Sequence, residues 1–201
     1  MVDAAIGHDR IGPNAIIQVI NALAARFGEQ SVNAFFVAAG LERYIQERPG
    51  SMVSQRDVAT LQTQLRDRFG PLVAREICLD AGMRTGDYLL ANRIPRTAQR
   101  VLRLMPAGLA ARVLSKAISK HSWTFAGSGT FTVSAGRPFR FSIQHNPICS
   151  GIRSDAPVCD YYAATFEQIF RAIVHPNARV VETACEAMGA SACVFEISWG
   201  G

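Results

Sequence analysis

The chain has 201 residues, 49% of them hydrophobic and 18% charged, with 21 basic against 16 acidic side chains and a net charge of +5. That much apolar material builds a real core and excludes a disordered chain. The basic residues are spread along the sequence without a run of five or more, which argues against a nucleic-acid-binding protein.

The opening Met1-Val2-Asp3-Ala4-Ala5-Ile6-Gly7 has no basic segment followed by an apolar run, so it does not read as a signal peptide. No stretch approaches the ~18 apolar residues a membrane-crossing helix needs. The expected location is cytoplasmic, with peripheral attachment to the inner membrane as the variant. Residues 1–10 read as a flexible lead-in and 11–201 as a single domain. Within it, 11–126 read as mainly helical and 127–201 as a hairpin, a helix and a closing hairpin.

In chain order, Pro13 suits the first position of a helix over Ala15–Phe27, where Ile16, Val19, Ile20, Leu23 and Phe27 recur at helical spacing and Gly28 closes the run. A second helix is predicted over Gln30–Ala39, stopped by Gly40. Ser54 opens a third that carries Val58, Leu61, Leu65 and Phe69. Pro71–Ala81 reads as a fourth, stopped by Gly82, with another turn or two at Thr85–Asn92. Pro95–Met105 and Pro106–His121 read as two more. The second of these is amphipathic, with Leu109, Val113, Leu114, Ala117 and Ile118 as its apolar face and Arg112, Lys116 and Lys120 as its polar one, the usual pattern of a helix packed on a core.

The pattern changes after His121. Thr130–Ser134 and Phe139–Gln144 alternate around Ala135-Gly136-Arg137-Pro138, a hairpin signal. Pro157–Val174 is again helical, and Arg179–Cys185 and Cys193–Trp199 read as two closing strands. Helices followed by hairpins predict an α+β fold, with N-terminal helices packed on an antiparallel sheet.

Four of the five cysteines, Cys149, Cys159, Cys185 and Cys193, lie in the last 53 residues; the fifth is Cys78. If the closing strands fold about Gly189, residues whose numbers sum to 378 oppose one another, and Cys185 and Cys193 meet that condition. Directly opposed residues lie about 4.5–5.5 Å apart at Cα, a distance that permits either a shared metal or a disulfide. Glu182 and Cys159 can complete a mixed sulfur and oxygen donor set. Glu182 and Cys185 are three apart, so sharing a ligand requires a bulge or an early strand end near Thr183–Ala184.

The runs Pro147-Ile148-Cys149, Pro157-Val158-Cys159-Asp160-Tyr161-Tyr162, Val181-Glu182-Thr183-Ala184-Cys185 and Gly189 through Cys193-Val194-Phe195-Glu196-Ile197 resemble the 4-vinyl reductase domain family. Arg10 through Ala15, Gly86 through Pro95 and His121 through Gly129 narrow the resemblance to the bacteriochlorophyll-biosynthesis J protein family, over roughly residues 10–199. The resemblance implies a structural zinc site near the C-terminus on Cys159, Glu182, Cys185 and Cys193, with Cys149 outside the set as a spare thiol or a supporting group. It also implies bacteriochlorophyll biosynthesis, with a Mg-protoporphyrin or protochlorophyllide type of tetrapyrrole as bound ligand.

Whether the chain is an enzyme stays open, with the sequence leaning against it. Gly127-Ser128-Gly129 is a short glycine-rich stretch that reads as a turn, because no G-x-G-x-x-G opens a helix after a strand. There is no C-x-x-C-x-x-C run for an iron–sulfur cluster, and four zinc ligands would close the coordination shell. The first expectation is a pigment-binding accessory or carrier protein. The alternatives are an oxidoreductase reducing the 8-vinyl group of divinyl (proto)chlorophyllide, historically called 4-vinyl reductase, and a ligand sensor or dimeric scaffold.

A carrier needs an apolar cavity with a few polar anchors. Phe35, Phe36, Trp123, Phe125, Phe131, Phe139 and Phe141 are candidate walls, each equally suited to a core. His121 and His145 are candidate axial donors to magnesium, and Arg137 and Arg140 candidate partners for propionates. The family suggests the magnesium chelatase large subunit and the Mg-protoporphyrin methyltransferase as partners, and it is compatible with a homodimer.

Overall fold

Prolines and glycines set most of the boundaries that the periodicity predicts. In the computed structural model, which describes residues 9–200, strand β1 (Arg10–Ile11) leads into α1 (Asn14–Phe27), which starts directly after Pro13 and stops at Gly28, whose φ of 80° a side chain would resist. Pro13 is the residue before the helix, one place earlier than expected. The predicted lead-in falls outside the described residues except for Asp9 and Arg10, and Arg10 is paired.

α2 (Glu29–Ala38) follows at once, then the single turn α3 (Arg43–Gln46) and β2 (Val53–Ser54), which pairs antiparallel with β1. Next come α4 (Gln55–Asn92), α5 (Arg96–Arg103), α6 (Ala107–Lys120) and the short α7 (Trp123–Ala126). Strands β3 (Thr130–Ser134) and β4 (Phe139–Gln144) have the bounds their alternation predicts. α8 (Asp160–Ile173), β5 (Arg179–Ala184) and β6 (Cys193–Ser198) complete the chain.

Among the described residues the main sheet has the order β3-β4-β6-β5, and every neighbouring pair is antiparallel. Its inner face carries Phe139, Phe141 and Ile143 from β4 and Phe195 and Ile197 from β6, all buried. α8 lies on that face. Its Phe166 ring sits 5.0 Å from Phe141 and 5.6 Å from Phe195, centroid to centroid, in edge-to-face geometry.

The other side of α8 packs on α4, and here the structure departs from the sequence reading. Ser54 caps α4 as expected, its hydroxyl accepting from the Arg56 amide at 3.2 Å. The predicted break at Gly70-Pro71 is present as a kink, with Gly70 at φ 77°. The predicted stop at Gly82 is absent, because the helix runs on through it to Asn92. Gly82 is glycine for lack of space: a Cβ there would run into the Tyr161 carbonyl and the Ala164 side chain. A Cβ on Gly86 would likewise lie 2.6 Å from Gln168 Cβ. Thr85 Oγ1 and the Tyr161 hydroxyl meet at 2.8 Å across this contact, and Thr165 Oγ1 donates to the Gly82 carbonyl at 3.1 Å.

This packing fixes the sign of a substitution that helix propensity alone gets wrong. Alanine in place of a mid-helix glycine usually stabilises by about 0.5–1 kcal/mol. Gly82→Ala is expected to destabilise instead, by about 1–3 kcal/mol, through overpacking. Gly108→Ala in α6, where an added Cβ meets nothing within 4 Å, is expected to be neutral or stabilising. Urea denaturation of the two variants followed by circular dichroism separates them.

Candidate metal centre

Four segments bring their cysteines to one point. Cys193 begins β6. Cys185 follows the end of β5, ahead of a 3-10 turn over Glu186–Met188. Cys159 precedes the first residue of α8. Cys149 comes from the loop after β4. The β5–β6 register explains how the first two meet. Along most of β5 the paired numbers sum to 377, as in Val181↔Glu196 and Glu182↔Phe195. After an irregularity between Glu182 and Ala184 the sum becomes 378, at Ala184↔Val194. The bulge that the shared ligand set requires is therefore present, at the expected place.

The sulfur geometry suits a tetrahedral ion. The Cys149–Cys193, Cys159–Cys193, Cys159–Cys185 and Cys185–Cys193 Sγ separations are 3.5, 3.6, 3.9 and 3.8 Å. All four sulfurs lie within 4.8 Å of one another and all four residues are buried. A regular tetrahedron with metal–sulfur bonds of about 2.3 Å has edges of about 3.8 Å. Four buried cysteines can thus hold a metal ion. Cys149 belongs to this cluster rather than outside it. Cys78 stands apart, its sulfur 3.2 Å from Gln62 Oε1 and its thiol pushed up to about 11 by burial.

The loop that delivers Cys149 is pinned by a carboxylate. Glu186 Oε1 accepts from the His145 amide and Oε2 from the Asn146 amide, each at 2.7 Å. Asn146 Oδ1 in turn accepts from the Ile148 amide at 3.1 Å, closing the turn locally. The same groups reach the sulfurs. Asn146 Nδ2 donates to Cys159 Sγ at 3.3 Å, and the Glu186 amide donates to Cys193 Sγ at 3.4 Å. Donors of this kind favour thiolate over thiol and hold ligands in orientation.

Glu182 lies at the edge of the cluster. Its Oε2 accepts from the Cys159 amide at 2.7 Å, while its Oε1 is buried without a partner. Burial, and after it the Cys185 charge, push the carboxyl up to about 8. Among the sulfurs, Cys185 is driven down because the Cys149, Cys159 and Cys193 thiols donate to it. Cys159 is held well up, foremost by burial. One sulfur of the metal-free cluster therefore carries charge readily, and it does so next to an oxygen with no donor of its own.

The side chains expected to hold a pigment fall into separate places. Phe125 and Phe131 meet edge-to-face at 5.2 Å and continue through Phe166 and Phe141 into the sheet core. Phe35 and Phe36 belong to α2 and group with Phe69 instead. Arg137, in the β3–β4 turn, and His145, after β4, are both exposed at opposite ends of one strand. His121 and the exposed Trp123 sit together at the corner between α6 and α7, with His121 Nδ1 2.9 Å from the Ala117 carbonyl. The glycine-rich stretch is a turn, as predicted: Gln55 Oε1 accepts from the Ser128 amide at 2.9 Å, and Gln55 Nε2 donates to Ser128 Oγ at 2.8 Å.

Residues 139–198 match the 4-vinyl reductase domain family. Over 196 residues the chain is 51% identical to the bacteriochlorophyll synthase 23 kDa chain of Cereibacter sphaeroides, covering 96% of this chain and 92% of that protein. It is 38% identical over 189 residues to the protein of the same name from Rhodobacter capsulatus, covering 92% of this chain and 85% of that one. A fold likeness to the phenol-responsive sensory domain of the transcription activator PoxR, solved with phenol, has a TM-score of 0.42 at 15% identity. It covers 72% of this chain and 74% of that domain, and bears on neither site nor ligand.

The buried carboxyl gives the metal-free protein a pH dependence whose sign is fixed. Because Glu182 is raised from its ordinary 4.5 to about 8, the native state holds that proton more tightly than the unfolded chain does. Its contribution is complete below about pH 4.5 and is lost as pH rises through about 8. Thermal melts in chelator across that window are expected to show a decline in Tm that Glu182→Gln removes. An identical decline in the variant would locate the titration elsewhere.

Proposed function

The chain belongs to the family of bacteriochlorophyll synthase 23 kDa chains, and from that premise we propose that it is a zinc-stapled, tetrapyrrole-binding accessory protein of bacteriochlorophyll biosynthesis. The observation that carries the pathway is the 51% identity sustained over nearly the whole of both proteins. In this reading the protein shields a magnesium tetrapyrrole and passes it between the magnesium chelatase large subunit and the Mg-protoporphyrin methyltransferase.

Zinc suits the donor set because thiolates in tetrahedral array favour it and no ligand-field preference opposes the shape. Cys159, Cys185 and Cys193 supply three donors, and Cys149 or Glu182 supplies the fourth. The sulfur edges near 3.8 Å support Cys149; the unpartnered Oε1 supports Glu182. When bound there, zinc supplies cross-linking of the four segments and no redox chemistry of its own.

For the pigment, support comes from the corner between α6 and α7. A ring nitrogen that faces a carbonyl at hydrogen-bond distance must carry the proton. His121 Nδ1 therefore donates to Ala117, and Nε2 keeps its lone pair. That is the form of imidazole that coordinates a metal. The exposed Trp123 beside it offers a flat apolar face for a macrocycle.

Elemental analysis of the purified protein is expected to give about one zinc per chain, lost in Cys185→Ser together with thermal stability. Of Cys149→Ser and Glu182→Gln, the one that lowers zinc affinity identifies the fourth ligand. Separately, titration with magnesium protoporphyrin is expected to shift the Soret band and quench tryptophan emission, with His121→Ala weakening both. An unmoved Soret band at micromolar pigment would dispose of the carrier reading without touching the zinc.

A further inference from the structure

Helices α5 and α6 pack on each other as a hairpin joined through Leu104, Met105 and Pro106. Its outer surface has an unusual charge. From Tyr88 to Ser154 the chain contains no Asp or Glu. Within that stretch the hairpin carries Arg96, Arg100, Arg103, Arg112, Lys116 and Lys120, which include both lysines of the protein. Arg103 Nε is engaged, donating to the Ala172 carbonyl at 2.7 Å. Among the described residues none of the six forms a salt bridge. Arg96, Arg100 and Arg103 line one shallow cleft with Asp87, whose carboxylate already accepts from Gln168 Nε2 at 2.6 Å.

The same surface is apolar. Val101, Leu104, Leu109 and Val113 are 53, 87, 48 and 44% exposed, and Trp123 just beyond α6 is 56% exposed. The core-facing side of the hairpin is supplied separately, by Leu102, Ala110, Ala111 and Leu114, all buried. The sequence pattern predicts one apolar face for α6 with Leu109 and Val113 on it. In the structure those two turn outward and share the exposed face with the lysines. At spacings of four, three and four, Leu109, Val113, Lys116 and Lys120 form one ridge along the helix.

An outward ridge that is both aliphatic and cationic fits one environment well. At the boundary of an anionic bilayer, the basic groups pair with headgroup phosphates while the aliphatic side chains leave water for the acyl region. A nucleic acid would satisfy the charge but leave leucine and valine in water. We propose that the α5–α6 hairpin docks this protein on anionic phospholipid bilayers, with Leu104, Leu109 and Val113 entering the lipid and Lys116 and Lys120 at the phosphates. This surface stands independently of the cysteine cluster and of pigment binding.

The test is sedimentation of the full chain with pigment-free vesicles of phosphatidylcholine alone, or containing about one third phosphatidylglycerol as the anionic lipid. Binding is expected to the anionic vesicles only, to weaken with salt and to shift tryptophan emission to the blue. Lys116→Ala with Lys120→Ala is expected to weaken binding roughly 25-fold, at about 1 kcal/mol per charge near the surface. Leu109→Glu with Val113→Glu is expected to abolish it. Both pairs are exposed, so wild-type melting curves are expected of both variants. Equal affinity for neutral vesicles, wild-type binding by both variants, or a preference for duplex DNA over anionic vesicles overturns the proposal.

Discussion

Everything in the C-terminal half depends on keeping four sulfur atoms within touching distance inside a protein interior. No single element does this. A strand start, a strand end, a helix start and an irregular loop each supply one cysteine, and each can do so only if the other three are in register. The arrangement couples the sheet to α8 and to the loop after β4, so an error in one would be felt in all. The irregularity between Glu182 and Ala184 is part of the same constraint, since it changes the pairing sum from 377 to 378 just before Cys185.

α8 is the structural intermediary. It presents aromatic rings to the sheet and small, hydroxylated or backbone groups to α4, two different packing problems on opposite sides of one helix. The close approach to α4 needs glycine at two positions one turn apart. That contact anchors the residue preceding α8, Cys159, relative to the N-terminal helices. Arg66 of α4 reinforces it by donating to the Val158 carbonyl at 2.6 Å. The N-terminal helices thus bear on the cluster without contributing a sulfur.

Much of this is legible in the sequence, and the failures have physical causes. Both strands of the first hairpin carry a clean alternation, and their bounds follow from it. The Cys185–Cys193 apposition follows from simple register, and the bulge from the need to turn Glu182 and Cys185 the same way. Gly82 misleads because a glycine that ends a helix and a glycine that lets another helix approach are the same letter. Cys149 escapes because its approach depends on Glu186 gripping two backbone amides about forty residues away in sequence, a contact no local pattern encodes. Its membership of a C-terminal group of four was the available hint. Leu109 and Val113 mislead because a helix with apolar residues on two sides has no single preferred inside.

The Glu186 grip has a kinetic meaning. Its two amide bonds, with the Asn146 turn, hold the loop bearing Cys149 by protein contacts alone. A site assembled this way has already made its conformational search when the chain folds. An incoming ion meets donors in place rather than recruiting them one at a time. Capture then becomes a matter of diffusion and thiol deprotonation, and loss of the ion leaves behind a cavity ready for the next.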